Sequence, residues 1–359
     1  MSLSIGIVGL PNVGKSTLFN ALTDSNILAA NYPFATIEPN TGIVPVPDPR
    51  LNKLAEIYGS QKIVPATVTF VDIAGLVAGA STGEGLGNQF LSHIRSCDAI
   101  CQVVRAFHDD NVIHVDNSVD SAKDISVINT ELVLADLQTI DKRLPRTEKE
   151  ARANPKLKPI LDTLLKAKEI LDNGTPLSHR SGEIELEHIN DLQLITAKPM
   201  MYVFNVDEQT LGDEARKNEL KSLVGDATAV FICAKLESEL SGLDDAEASE
   251  LLETYGVNES GLNLLIKNAY SLLGLQSYLT AGEKEVRAWT IKKGYTAPQA
   301  AGVIHGDFER GFIAAQIVSY DDLVDAGSEA NAKAGGRIRT EGKTYVMQPN
   351  DVVEFRFNV

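Results

Sequence analysis

Short runs of apolar residues alternate with stretches of helical periodicity along most of the chain. Apolar runs bounded by turn residues predict buried strands, and apolar residues at three- and four-residue steps predict helices. The predicted strands lie at Ile5–Gly9, Ala66–Asp72, Ala99–Phe107 and Thr228–Ala234, and the stretch Pro199–Glu208 is predicted as a strand that runs into a polar loop. A helix is predicted directly after the first strand, over Ser16–Leu22. This pattern indicates an α/β domain.

The periodicity changes in the middle of the chain. Apolar residues recur at helical spacing from Ser126 to Leu144, and residues 157–171 repeat the pattern. The linker between the two segments contains Pro145, Asn154 and Pro155. We therefore predict two amphipathic helices that form an antiparallel hairpin.

A smaller module is predicted after residue 278. Strand-like patterns and one helical pattern, over Thr296–Phe308, indicate an α+β module. The strand-like patterns lie at Val286–Ile291, Ile313–Ser319 and Val352–Phe357. We predict a discontinuous α/β domain formed by 1–124 and 197–278, a helical insertion at 125–196 and a C-terminal domain at 279–359.

The composition is that of an ordinary soluble globular protein, with 43% hydrophobic and 23% charged residues among 359. No apolar run approaches the length of a membrane span, and the N-terminus has no signal-peptide pattern. Cys97, Cys101 and Cys233 lack the spacing of a metal site. These observations predict a cytoplasmic protein without a membrane partner, because free thiols suit a reducing compartment.

The charge is unevenly distributed. The chain has a net charge of −16, yet residues 142–168 hold nine basic and three acidic residues, a local net charge of +6. This segment coincides with the turn of the predicted hairpin and the helix ends beside it. Two interpretations stay open: a solvated face of mixed charge, or a prong that contacts ribosomal or other structured RNA.

The strongest chemical signal is the stretch from Gly9 to Ser16. Four residues separate Gly9 from the sequence Gly14-Lys15-Ser16, and the stretch joins a predicted strand to a predicted helix. Glycines let successive backbone N–H groups point at phosphate oxygens, and the helix N-terminus favours the same anion. Lys15 supplies a positive charge, and the Ser16 hydroxyl is placed to ligate Mg²⁺. The sequence therefore predicts a nucleotide-binding protein.

Two further segments complete the predicted phosphate and metal site. Thr36, in a proline-punctuated loop, is the first candidate for a Mg²⁺ ligand, and Thr41 is the second. Asp72 ends a predicted strand and is followed by Gly75. In this context Asp72 is expected to hold a Mg²⁺-bound water, and the Gly75 amide is expected to bond the terminal phosphate.

The group that positions the attacking water is not evident. Leu76 follows Gly75 where many regulatory GTPases carry glutamine. One substitute is K⁺ held by the Asn12 amide oxygen, and a loop-stabilising hydrogen bond is the alternative role for Asn12. Histidine is another substitute, with His93, His108 and His114 as candidates. We take Lys15, Gly75 and His114 as the catalytic candidates.

The predicted base site departs from that of GTP-binding folds. Asn205-Val206-Asp207-Glu208 stands where those folds carry Asn-Lys-x-Asp, and Lys235 follows the strand that ends at Ala234. A glutamate reaches further than aspartate and misaligns the two hydrogen bonds that guanine offers. An aspartate there would also repel N1 of adenine, so its loss favours ATP. Asn205 is expected to serve the N6/N7 edge of a purine.

Taken together, these motifs resemble the YchF family, also called Obg-like ATPases, over essentially the whole chain. The resemblance rests on Gly9–Thr17, Asn31–Asn40, Asp72–Val77, Asn205–Glu208 and Thr280–Trp289. It implies a Ras-like P-loop domain of the Obg type, interrupted by a helical coiled-coil hairpin and followed by a ubiquitin-like TGS domain.

The resemblance also implies an activity and a set of site residues. The family consists of translation-associated ATPases that bind the ribosome, so the expected reaction is Mg²⁺-dependent hydrolysis of ATP. The predicted phosphate and base contacts are Asn12, Val13, Gly14, Lys15, Ser16, Thr17, Asn205, Val206, Glu208 and Ala234. The predicted Mg²⁺ contacts are Ser16, Thr36 and Asp72.

Two alternatives remain at this stage. One is a nucleotide-gated protein that binds ribosomes or RNA and hydrolyses nucleotide only incidentally. The other is a plain GTPase. The sequence leaves the oligomeric state open, with a monomer favoured.

Overall fold

The computed structural model describes residues 3–24, 40–73, 86–107, 119–240 and 242–358. The chain forms two compact units: Met1–Val44 with Thr69–Leu272, and Pro45–Val68 with Leu273–Val359. The described strands are Ser4–Val8 (β1), Thr41–Pro45 (β2), Ile63–Val64 (β3), Thr67–Asp72 (β4), Ala99–Arg105 (β5), Met200–Asn205 (β6), Thr228–Ile232 (β7), Leu275–Ala281 (β8), Val286–Lys292 (β9), Phe312–Ser319 (β10), Arg339–Glu341 (β11) and Asp351–Phe357 (β12).

The helices of the described ranges complete the element list. They are Lys15–Asp24 (α1), Pro49–Tyr58 (α2), Leu86–Ser96 (α3), Ser121–Ala153 (α4), Lys158–Asp172 (α5), Glu208–Gly212 (α6), Glu214–Ser222 (α7), Ala234–Leu240 (α8), Asp245–Thr254 (α9), Gly261–Leu272 (α10), Ala297–Ile304 (α11), Gly306–Arg310 (α12), Tyr320–Ala326 (α13) and Glu329–Ala334 (α14). Short 3-10 helices lie at Pro155–Leu157, Leu177–Glu183 and Leu186–Leu192.

The first unit is built on a sheet with the strand order β2-β4-β1-β5-β6-β7. The pairs β1–β4, β1–β5, β5–β6 and β6–β7 are parallel. Every residue of β5 and β6 is buried, as the continuous apolar runs predict. Because parallel strands end at the same edge, the segments that follow β1, β4 and β6 meet there. The predicted α/β fold is confirmed.

Helices α4 and α5 form the predicted hairpin, but the first helix is longer than the sequence indicates. The helix α4 runs without interruption through Pro145 to Ala153, so the linker is only the short turn around Asn154 and Pro155. A proline inside a helix removes one hydrogen bond and costs about 3 kcal/mol. The helix nonetheless continues, and Ile140 and Thr147 on either side of Pro145 are almost fully buried.

The base of the hairpin is fixed by a buried carboxylate on α4. Asp136 is inaccessible to solvent and accepts hydrogen bonds from the backbone N–H groups of Ile195 (2.9 Å) and Thr196 (2.7 Å). It also accepts one from the Thr196 hydroxyl, at 2.7 Å. These bonds tie the middle of α4 to the segment that leads into β6.

The second unit contains a sheet with the order β11-β10-β12-β8-β9-β3. The strands predicted from residue 286 onward correspond to β9, β10 and β12. The single predicted helix over Thr296–Phe308 is instead two helices, α11 and α12, because His305 between them has an extended backbone with φ −160°. The core includes Tyr278, Ile291, Phe312 and Met347.

Residues 45–68, which the sequence analysis assigned to the first domain, lie in the second unit. The helix α2 buries Leu51 and Leu54, and β3 extends the sheet by pairing with β9. Arg50 Nη1 donates to the carbonyl of Pro349 at 2.6 Å. The second unit is therefore assembled from two separate segments of the chain.

Within the described parts of the chain, no helix combines the length and the apolar character needed to span a membrane.

We expect Asp136→Ala to lower the free energy of unfolding by about 3 kcal/mol, because it leaves three hydrogen-bond donors without their acceptor. Urea unfolding followed by circular dichroism measures this change. The matched control is Asp141→Ala, which removes an exposed carboxylate of α4 paired with Lys168 and should cost less than about 1 kcal/mol. Equal costs for the two variants would contradict the anchoring role.

Candidate nucleotide-binding site

The loop between β1 and α1 has the geometry of a phosphate-binding loop. Asn12 and Gly14 adopt positive φ angles of 62° and 99°. A Cβ atom at Gly14 would lie 2.4 Å from Asn205 Nδ2, and one at Gly9 would lie 2.7 Å from the carbonyl oxygen of Val103. Both glycines are therefore required by close packing, and Gly14 also by its backbone conformation. The helix α1 begins at Lys15, so its N-terminus lies at the end of the loop.

Lys15 and Asp72 place opposite charges at the same edge of the sheet. The Lys15 side chain is 8% exposed, and its ammonium donates to the carbonyl of Leu10 at 2.7 Å. Burial lowers the pKa of Lys15, and the nearby Asp72 carboxylate partly offsets that shift. Burial raises the pKa of Asp72, against the opposing effect of Lys15. The pair presents a desolvated cation and an oxygen ligand to the loop.

The residues present fit a Mg²⁺ ion. Ser16 is exposed in the first turn of α1, and the Asp72 carboxylate is half-buried at the end of β4. Hydroxyl and carboxylate oxygens are the hard ligands that Mg²⁺ takes together with water and substrate phosphates. Within the described ranges, no group of three or more His, Cys, Asp and Glu residues is arranged to hold a metal.

A cavity of about 460 Å³ adjoins the phosphate loop. It is bounded by the loop and by the segments after β5, β6 and β7, all within the first unit. Its lining residues are Asn12, Gly14, Thr17, Phe107, Asn205, Val206, Asp207, Glu208, Cys233, Ala234 and Lys235. The structure therefore brings together Asn12, Gly14, Thr17, Asn205, Val206, Glu208 and Ala234 from the predicted set.

Asn205 joins three loops rather than pointing freely at a ligand. Its Nδ2 donates to the carbonyl of Val13 at 3.0 Å, and its Oδ1 accepts from the N–H of Ala234 at 3.4 Å. The side chain is only 6% exposed. Both ends of the amide are thus engaged by backbone, and the predicted contact with a purine edge stays a prediction. We refer to these two bonds as the Asn205 latch.

The two carboxylates after Asn205 have separate partners. Asp207 caps α6, where its Oδ1 accepts from the N–H and the hydroxyl of Thr210. Glu208 Oε1 forms an ion pair with Lys235 Nζ at 2.7 Å. The Glu208 carboxylate is therefore held by a cation at the wall of the cavity.

Phe107 lines the cavity just beyond β5, and it was not among the predicted site residues. The guanidinium of Arg105 lies 4.5 Å from the centre of the Phe107 ring, and Arg105 Nε donates to the Phe107 carbonyl at 3.2 Å. An aromatic ring fixed in this way offers a flat surface to a base. The signal available in the sequence was an aromatic residue at the carboxyl end of a parallel strand.

Several predicted residues lie outside the described ranges. These are Thr36, Gly75, Leu76, His108 and His114. His93 is described and is exposed on α3.

The parallel sheet, the phosphate loop at its edge and the adjoining cavity define a P-loop nucleotide-binding protein. Comparisons with known proteins narrow this class. Residues 4–137 match the family model MMR_HSR1, described as a 50S ribosome-binding GTPase. Residues 275–358 match the model YchF-GTPase_C, described as a protein of unknown function.

Relatives that align with this chain over their full length identify its family. The chain is 52% identical to the "Ribosome-binding ATPase YchF" of Bacillus subtilis, and 50% identical to that of Escherichia coli O157:H7. Both alignments cover 100% of this chain and 100% of the relative. The structure of the Schizosaccharomyces pombe YchF GTPase superposes with a TM-score of 0.87 at 40% identity, covering 99% of this chain and 98% of that one. The chain belongs to the YchF family.

We expect Gly14→Ala to weaken ATP binding at least about ten-fold, because the new Cβ displaces Asn205 and breaks its bond to Val13. The matched control is Gly225→Ala, in the same unit. Gly225 has a positive φ of 58° but no atom within 4 Å of an added Cβ. The φ of 58° at Gly225 lies in the left-handed region that alanine can adopt, whereas the 99° at Gly14 lies outside it, so titration with a fluorescent ATP analogue measures the clash and the local backbone strain at Gly14 together. Equal affinities for the two variants would contradict the latch.

Proposed function

We propose that this protein is a ribosome-associated ATPase that hydrolyses ATP to ADP and phosphate with Mg²⁺. The reaction class is supported by the phosphate loop, the buried Lys15 and the names of the full-length relatives. The observation that carries the preference for ATP is the ion pair between Glu208 and Lys235 in the wall of the cavity.

The residues of this chain contribute positioning and charge. The loop amides and the N-terminus of α1 bind the phosphates, and Lys15 neutralises charge that develops during in-line attack by water. Ser16, Asp72 and Thr36 are the residues we propose to hold Mg²⁺. When bound, Mg²⁺ neutralises the phosphate oxygens and orients them. Gly75 and His114 remain the proposed contacts near the terminal phosphate, and Asn12 the proposed K⁺ ligand.

The preference for adenine follows from the state of Glu208. A carboxylate recognises guanine by accepting two hydrogen bonds, and it repels the N1 acceptor of adenine. In this site Lys235 holds the Glu208 carboxylate at 2.7 Å, which weakens both effects. Phe107 and Val206 then supply apolar contact that suits any purine. We infer that ATP is preferred over GTP, although some matched proteins are named GTPases.

The finer architecture and the partners are part of the same proposal. We propose that α4 and α5 form a coiled-coil hairpin and that residues 279–359 belong to a ubiquitin-like TGS domain. Structured RNA of the ribosome is the partner that we propose for the basic hairpin. A role on the ribosome implies a cytoplasmic location.

The activity itself is tested by comparing ATP and GTP hydrolysis with and without ribosomes. We expect ATP to be preferred, and chelation of Mg²⁺ to stop turnover until the ion is restored. Lys15→Ala should lower the rate at least about 100-fold, since it removes the charge at the transferring phosphate. The control Lys217→Ala, on α7 and paired with Glu214, should keep the parental rate. Faster turnover of GTP, or an active Lys15→Ala variant, would contradict the proposal.

Base selectivity is tested by Lys235→Gln. Freeing the Glu208 carboxylate should lower the ratio of ATP to GTP affinity by about three- to ten-fold, because a carboxylate without its cation repels the N1 acceptor of adenine. Competition binding with both nucleotides measures this ratio. The double variant Lys235→Gln with Glu208→Gln should regain the parental ratio. An unchanged ratio in the single variant would show that the Glu208 carboxylate does not influence the choice between ATP and GTP.

A further inference from the structure

The first turn of α8 carries two of the groups that shape the base cavity. The N–H of Ala234 donates to Asn205 Oδ1 at 3.4 Å, and Lys235 Nζ holds the Glu208 carboxylate at 2.7 Å. Both Ala234 and Lys235 line the cavity beside the phosphate loop. The position of α8 therefore sets the distances on which the proposed choice between adenine and guanine depends.

A buried carboxylate in the same turn ties α8 to α10. Glu237 is 5% exposed, and its Oε1 accepts from the N–H of Gly261, the first residue of α10, at 2.7 Å. Because the N-terminus of a helix attracts negative charge, the carboxylate also interacts favourably with the dipole of α10. Burial raises the pKa of Glu237, and the bond from the Gly261 N–H acts against that shift. The two helices are thus joined through a buried carboxylate at a helix end.

The α10 end of this link is fixed by close packing. A Cβ atom at Gly261 would lie 2.9 Å from the carbonyl oxygen of Phe231 and 2.9 Å from Ile232 Cγ1, both at the end of β7. The N-terminus of α10 therefore packs directly against the strand that leads into α8. Since β7 belongs to the nucleotide-binding sheet, α10 gives the Glu237 side chain a fixed point of attachment.

Close packing does not hold α8 on the side that faces α9 and α10. A cavity of about 490 Å³ is bounded there by all three helices, and its wall includes Leu236, Glu237, Leu252 and Leu264. The helices are therefore not in continuous contact, and the bond between Glu237 and Gly261 crosses from α8 to α10 directly. Elsewhere α8 packs against α1, the helix that begins at the phosphate loop. A shift of α8 would thus reach both the base and the phosphate contacts.

We propose that Glu237 is a positioning residue for the base site. By holding the first turn of α8 against α10, it keeps Lys235 within reach of Glu208 and so maintains the preference for ATP over GTP. Glu237 lies outside the lining of the cavity that receives the base, so it acts through Ala234 and Lys235. This inference rests on the proposed selectivity and names the residue on which the pair of Lys235 and Glu208 depends.

Four variants of the full-length protein test this role. Glu237→Ala removes the carboxylate, and Glu237→Asp keeps the charge but shortens the side chain by one CH₂ group. Glu237→Gln keeps an oxygen that can accept from the N–H of Gly261. The matched control is Glu250→Ala, which removes an exposed carboxylate of α9 in the same unit. Thermal unfolding shows whether each variant is folded, and Glu237→Asp decides the question if Glu237→Ala is not.

The readout is the ratio of ATP to GTP affinity, measured by competition binding. Glu237→Ala and Glu237→Asp should each lower this ratio by about three- to ten-fold, which is the change expected when Lys235 no longer restrains Glu208. Glu237→Gln and Glu250→Ala should stay within about two-fold of the parent, since neither removes the acceptor for Gly261. The affinity for inorganic tripolyphosphate, which needs only the phosphate loop, should stay within about two-fold in all four variants.

A double variant separates positioning from a general loss of stability. Once Lys235→Gln has freed Glu208, adding Glu237→Ala should change the ratio of affinities no further, because both substitutions act on the same ion pair. A purely structural role for Glu237 predicts instead that Glu237→Ala lowers the midpoint of unfolding and leaves the ratio as it is in the parent.

The proposal is overturned by an unchanged ratio in both Glu237→Ala and Glu237→Asp, or by a loss of tripolyphosphate binding as large as the loss of ATP binding. An equal shift in Glu250→Ala also overturns it. If Lys235→Gln shifts the ratio and neither Glu237 variant does, the role of Glu237 fails alone. If Lys235→Gln leaves the ratio unchanged, the proposed basis of the ATP preference fails, and the role of Glu237 fails with it.

Discussion

The nucleotide site depends on the Asn205 latch. The phosphate loop, the segment after β6 and the start of α8 come from distant parts of the chain. The buried side-chain amide of Asn205, at the end of β6, bonds to Val13 in the phosphate loop and to Ala234 at the start of α8. A buried backbone carbonyl or N–H without a partner costs about 1–3 kcal/mol, so the latch also satisfies groups that would otherwise destabilise the fold. Because Gly14 packs directly against the same amide, the shape of the phosphate loop and the position of the base cavity are coupled.

The parts of this site that sequence could predict are those formed by neighbouring residues. The phosphate loop is a continuous segment whose glycines, lysine and serine act at fixed spacing, and the structure has it at the predicted place. The hairpin helices were predictable because each has its own periodicity. The predicted end of the first helix was wrong because proline usually ends a helix, whereas α4 continues through Pro145 to Ala153.

The parts that sequence could not supply depend on contacts across space. Asn205 was predicted as a site residue, but its bonds to Val13 and Ala234 follow from the meeting of three loops. Lys235, which forms an ion pair with Glu208, lies 27 positions away in sequence, and no local sequence pattern predicts that the two side chains meet. Phe107 did have a local signal, as an aromatic residue at the carboxyl end of a strand, but its place in the cavity wall depends on contacts across space. The same limit applies to charge. The basic segment 142–168 is evident in the sequence, but only the structure shows which of its cations have carboxylate partners.

The segment Pro45–Val68 shows how far topology can depart from a linear division of the chain. The chain leaves the first unit after Val44 and re-enters it at Thr69, and β4 then ends in Asp72. In between, α2 packs against β8 and β9, and it buries Leu51 and Leu54, while β3 buries Val64. Burial of three such side chains contributes about 5–8 kcal/mol, which is comparable to the whole stability of a small domain. Residues 279–359 therefore lack part of the core of the second unit, and the segment Pro45–Val68, which stands between two strands of the nucleotide-binding sheet in sequence, supplies that part.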